Sequence, residues 1–147
     1  MRIPLSLTED DRVILNTTVK FSRGFGYISF IVDTGSSTSM IGVGDAMRCN
    51  IQKTGTFVKD AKIGGISLKL YDLGISDLWL RDEKDEAKRF KQKFLVAKPA
   101  STGESALVRS QSFPSLIGID FLRENKFALY LDPSRNIAFL ESTEEKK

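Results

Sequence analysis

Histidine is absent from the 147 residues of this chain, and cysteine occurs once. Without an imidazole, Ser-His-Asp and Cys-His hydrolytic machinery has no base, and the commonest zinc ligand is missing. A lone cysteine, Cys49, excludes an internal disulfide and fits a reducing compartment, where it reads as a small buried hydrophobe. No apolar run approaches the roughly 20 residues that cross a bilayer, so no membrane partner is expected. The opening Met1 to Asp11 has no apolar h-region ahead of its acidic cluster, which points to an intracellular, cytoplasmic protein. P-loop, EF-hand and Ser-x-x-Lys spacings are missing as well. No metal or cofactor is therefore expected, and in an enzyme of this composition carboxylates must carry the proton traffic.

What is present is ordinary for one globular domain: 41% apolar residues, 28% charged residues and a length that buries a core without staples. We place that domain at residues 1–141, followed by a polar tail, 142–147. The formal charge is +3. Ten of the thirteen residues from Arg81 to Lys93 are charged, six basic and four acidic. That mixture reads as a solvated loop or short exposed helix, and it lacks the one-sign patch that a nucleic acid partner needs.

β-branched and aromatic residues mark strands at Val13–Lys20 and Tyr27–Val32 around a hairpin loop. One or two helical turns are expected within Met40–Asn50. Thr56–Ala61 and Ile66–Leu73 form a second pair around Lys62-Ile63-Gly64-Gly65, where two glycines permit unusual backbone angles. Ile75–Leu80 and Phe94–Ala97 read as further strands, and Lys98–Ser115, with its prolines and serines, as a long surface loop. Leu116–Ile119 is a short apolar strand, Asp120 a helix cap before Phe121–Asn125, and Phe127–Leu131 with Ile137–Leu140 a terminal hairpin.

Two segments stand out. In Tyr27-Ile28-Ser29-Phe30-Ile31-Val32-Asp33-Thr34-Gly35-Ser36-Ser37 an apolar strand delivers a carboxylate onto a glycine-bearing turn. In Leu116-Ile117-Gly118-Ile119-Asp120-Phe121-Leu122 an apolar strand with a central glycine runs into a helix. In this combination and order they resemble the retropepsin-like aspartic proteases, the single-lobed relatives of pepsin that include the retroviral enzymes. The resemblance extends over roughly Val13 to Leu140, with Arg81–Lys93 and Lys98–Ser115 looking like insertions.

The resemblance implies an all-β fold, a closed barrel with one short helix near the C-terminus. It implies a homodimer in which each subunit supplies one Asp33 to a two-carboxylate site acting on a peptide or protein substrate. Thr34 would hydrogen-bond across the two-fold axis, and Gly35 would let backbones approach closely. Ser36 would donate to the Asp33 carboxylate and favour an acidic optimum. Ile117 and Gly118 would support the catalytic turn. Lys62, Ile63, Gly64, Gly65 and Ile66 would form the tip of a flap closing over an extended peptide. Two competing readings are a dimeric peptide-binding module that cleaves nothing and a structural barrel in which Asp33 only stabilises a turn.

Overall fold

Alternation drives the fold. Along Val13–Lys20, residues 13, 15, 17 and 19 are buried while their neighbours face outward, and Phe25–Val32 repeats the pattern with residues 26, 28, 30 and 32 inside. Period-two burial is what a sheet with one packed face requires. The computed structural model describes residues 1–51, 55–63, 65–100 and 103–143. Their strands are β1 (Arg2–Pro4), β2 (Ser6–Leu7), β3 (Val13–Lys20), β4 (Phe25–Val32), β5 (Met40–Ile41) and β6 (Thr56–Ile63). There follow β7 (Ile66–Arg81), β8 (Ala87–Pro99), β9 (Leu116–Ile117), β10 (Phe127–Asp132) and β11 (Ile137–Ser142). Three helices punctuate them: α1 (Val43–Arg48), α2 (Glu104–Gln111) and α3 (Ile119–Glu124).

The main sheet runs β2-β3-β4-β9-β5-β8-β7-β6, and a further pairing of β3 with β7 closes six of these strands into a ring. Closure leaves β3 with a neighbour on each side at Thr18–Lys20, so its long edge is not left open. Inside the ring Phe30 stacks on Phe94, with ring centroids 5.4 Å apart, and Leu15, Ile28, Leu78, Val96 and Ile117 are essentially inaccessible. Phe121 of α3 packs between Phe90 and Phe127 and ties the helix to the barrel. A second, three-stranded sheet, β1-β11-β10, joins the two ends of the chain.

Two expectations are corrected. Arg81–Lys93 is neither loop nor helix, because β7 and β8 continue through it as one long hairpin turning at residues 82–86. The charges conceal a two-residue period in which Phe90, Gln92 and Phe94 face inward. Within the supposed loop Lys98–Ser115 lies α2, a helix among the described residues besides the one, α3, expected near the C-terminus. At the C-terminal end, Ser142 belongs to β11, and the Thr143 N–H and hydroxyl both donate to the Lys126 carbonyl. Residues 144–147 lie outside the described residues.

The β7–β8 turn is held by Asp82, whose Oδ1 accepts the N–H groups of Lys84 and Glu86, each at 2.9 Å. The Glu86 N–H above all, then that of Lys84, keeps this carboxyl below its ordinary value of 3.8 against the opposing effect of burial. Asp72, beside the bulge in β7, is lowered likewise by the Gly74 N–H and by Lys93. A folded-state value below the unfolded one stabilises the fold above the unfolded value and ceases to do so as pH falls through the folded value. Thermal melts should therefore be flat above about pH 5 and fall below about pH 4. Asp82→Asn, which keeps the acceptor oxygen but cannot titrate, should flatten that acid limb; an unaltered limb would remove Asp82 from the account.

Candidate active site

The Asp33 turn arises from the way β4, β9 and β5 share hydrogen bonds. β4 pairs in parallel with β9 through Ile31–Leu116 and Val32–Ile117, and β5 lies on the other side of β9 through Met40–Leu116. The chain must therefore pass over the end of β9 between Val32 and Met40, and residues 33–39 make that passage. It is fixed at both ends. The Asp33 N–H donates to the Ile117 carbonyl at 2.9 Å, and the Ile119 N–H donates to the Ser36 carbonyl at 2.8 Å. One carboxylate oxygen of Asp33 accepts the Gly35 N–H at 2.9 Å, and its main-chain carbonyl accepts the Ser36 N–H. Asp33 is half-buried, and Thr34 and Gly35 are exposed.

Gly118 explains the closeness of the two segments. A Cβ built there would lie 2.6 Å from the Ser36 carbonyl oxygen and 3.0 Å from that of Thr38, both main-chain atoms of the turn. Gly118→Ala should accordingly push the turn off β9, lowering stability by about 1–3 kcal/mol as overpacking does. Any activity that depends on Asp33 should fall further than the melting temperature alone accounts for. A variant with wild-type melting and turnover would mean that the turn yields freely.

Behind the turn lies a polar cluster. Asp120 accepts from the Ser39 N–H at 3.0 Å, the Ser39 hydroxyl at 2.7 Å and the Gln92 amide at 2.8 Å. Ser39 Oγ in turn accepts the Gly118 N–H at 3.0 Å. Ser39 and Gln92 are buried. Asp120 also caps the helix as expected from sequence, its Oδ1 accepting the Phe121 N–H at 2.9 Å, although α3 begins at Ile119 with Gly118 as its N-cap residue; the same carboxylate serves the opposite segment besides. Sequence reading also missed Ser39 and Gln92. Ser39 sits among several serines with nothing to single it out, whereas Gln92, an uncharged residue in a charged run, carried a weak signal.

The structure brings Asp33, Thr34, Gly35, Ser36, Ile117 and Gly118 together. It corrects one proposed bond. The Ser36 hydroxyl donates to the Thr38 carbonyl at 2.7 Å, closing the turn on itself, so it does not donate to Asp33 and gives no ground for an acid-shifted profile. Lys62, Ile63, Gly65 and Ile66 belong to the separate β6–β7 hairpin, in which Ile63 pairs with Ile66. Ile63 and Ile66 are half-buried against Met40, Val43, Leu68, Leu70 and Ala97, Lys62 is exposed, and Gly65 has a φ of +78°. Gly64 lies outside the described residues.

A six-stranded ring with a carboxylate turn carried over β9 is a retropepsin-like fold. Among solved structures, an EIAV protease complexed with the inhibitor HBY-793 superposes with a TM-score of 0.52 at 13% identity, over 86% of this chain and 99% of that one. At that identity the likeness is one of fold. No protein-family model and no curated protein matches the chain. No helix among the described residues is long and apolar enough to cross a membrane.

Proposed function

We propose that the chain is one subunit of a homodimeric aspartic endopeptidase, with Asp33 contributed once by each copy. The observation that carries this reading is the Asp33 turn itself, an Asp-Thr-Gly at the end of a barrel strand, bonded at both ends to Ile117–Ile119. In a dimer the two carboxyls would meet at the axis, where like charges a few ångströms apart cannot both ionise and so share one proton. The ionised member takes a proton from water as it attacks the scissile carbonyl, and the protonated member donates to the carbonyl oxygen. Their roles reverse as the amine leaves. No metal or cofactor enters this chemistry. Exposure of Thr34 and Gly35 in the single chain suits residues destined for a partner copy.

Lys62, Ile63, Gly64, Gly65 and Ile66 are assigned to the flap on the strength of the β6–β7 hairpin. The left-handed backbone at Gly65 has open space where a side chain would go, so Gly65→Ala meets strain rather than a clash. Turnover should fall by several-fold with a smaller change in melting; equal turnover would place the flap elsewhere. The decisive assay is cleavage of a mixed peptide library with and without pepstatin. Pepstatin-sensitive cuts between apolar residues are expected, and a library left intact by the dimer across pH 3–8 would sink the assignment.

A further inference from the structure

Read along the chain, Arg81–Lys93 mixes both signs of charge; folded, the strand register sorts them. Asp82, Glu83, Asp85 and Glu86 occupy the turn, whereas Arg89, Lys91 and Lys93 alternate onto the outer face of β8. That face continues across four antiparallel strands. One row runs Arg89, Trp79, Thr18, Tyr27, and the next runs Lys91, Asp77, Lys20, Phe25. Asp77 and, past the bulge, Asp72 are the acids at the outward positions of these strands, against Lys20, Arg81, Arg89, Lys91 and Lys93. Arg81 and Lys93 also reach carboxylates at the rim, Asp85 at 3.8 Å and Asp72 at 3.1 Å.

Aromatic rings stand among these cations. Phe25, Tyr27 and Trp79 are 66%, 69% and 40% exposed, far more than rings of that size usually are in a finished surface. Trp79 separates two shallow depressions, one of about 440 Å³ bordered by Tyr27 and Arg81 and, at its far end, by Asp82 and Asp85, and one of about 360 Å³ bordered by Phe25 and Lys20 and free of acids. Neighbouring rows are about 7 Å apart along the strands and neighbouring strands about 4.8 Å apart, spacings over which successive flat groups can be seated.

We propose that this face binds single-stranded nucleic acid, with bases stacked on Tyr27, Trp79 and Phe25 and phosphates lying along Lys20, Arg89 and Lys91. Rings interleaved with cations on an open sheet are the ingredients of a sequence-tolerant stacking platform. A protein partner fits less well, because the centres of protein interfaces are depleted in lysine. A duplex fits less well too, since the major groove admits a helix or a two-stranded ribbon rather than a sheet four strands wide. Tyr27 lies near the start of β4 and Asp33 just past its end, six residues on and about 20 Å away at 3.3 Å per residue, so the surface is separate from the Asp33 turn and stands whether or not the chain cuts peptides.

The full chain should be titrated into fluorescein-labelled 12-nucleotide oligo-U, with anisotropy and tryptophan emission read together; Trp79 is the only tryptophan. Binding should quench Trp79 and weaken roughly ten- to twenty-fold between 50 and 200 mM salt, as about three single-strand phosphate contacts imply. Trp79→Ala should weaken binding about ten-fold and leave the salt slope unchanged. Lys20→Glu with Lys91→Glu should flatten the slope by at least about 1. The charge variant should keep wild-type melting, since Lys20 and Lys91 are exposed, and Trp79→Ala, whose ring is more than half covered, is compared at a temperature where its own melt shows it folded. The proposal is overturned by no binding at 200 µM protein in 50 mM salt, by duplex or heparin binding as tightly with no change in emission, or by a poly-glutamate peptide binding where the oligonucleotide does not.

Discussion

Asp33→Asn should abolish peptide hydrolysis while leaving the protein folded and paired. The amide can neither take a proton from water nor donate one as an acid, and a homodimer carries the change at both positions. General acid and base catalysis each contribute some 10²- to 10⁴-fold, so a loss of at least about a thousand-fold is expected. Stability should change by less than about 1 kcal/mol. The asparagine oxygen can still accept the Gly35 N–H that Asp33 accepts at 2.9 Å, and Asp33 is only half-buried. Removing two like charges that must approach one another should leave dimerisation unchanged or tighter. The measurement is turnover of a library-derived peptide beside a thermal melt and a sedimentation profile. Wild-type turnover in the variant would falsify the assignment of Asp33, and a lost fold would assign it a structural role instead.

The largest stability effect should come from Asp120, a residue that touches no substrate in the proposed reading. Asp120→Ala strips an acceptor from the Ser39 N–H, the Ser39 hydroxyl and the Gln92 amide, whose two owners are both buried, and from the Phe121 N–H. Each orphaned donor costs about 1–3 kcal/mol, reduced where water or a rotated hydroxyl restores a partner. A net loss of about 3 kcal/mol is expected, which for a chain of this size lowers the melting temperature by roughly 6–12 °C. Asp120→Asn should fall between, because its amide nitrogen would face donors where an oxygen now accepts. Peptide turnover should drop in the same order, since Ser39 is the link between Asp120 and Gly118. An alanine variant that melts with the wild type would show that the cluster holds nothing in place.

Much of this was legible in the residues, for identifiable reasons. The strands around Asp33 were readable because period two and β-branched residues coincide from Val13 to Val32. The pairing of the Asp33 turn with Ile117 and Gly118 was inferred from two short motifs, and the backbone bonds now account for it. Arg81–Lys93 misled because its charge density hid the alternation, and only pairing with β7 reveals that Phe90 and Gln92 within it face a core. α2 was hidden by the serines, glycine and prolines around it, which locally favour turns. The Asp120 cluster was illegible for a different reason. A carboxylate just inside a helix start suits local capping as well as a contact made 81 residues away, and sequence spacing does not rank the two.

The bonds that fix residues 33–39 are all made within one chain. Each molecule therefore holds a finished half-site before it meets another, and on the reading proposed here encounter is rigid docking with nothing left to fold. Catalytic output per molecule should then vanish on dilution and return without a lag on concentration, so that the total rate rises with the square of enzyme concentration while copies are scarce.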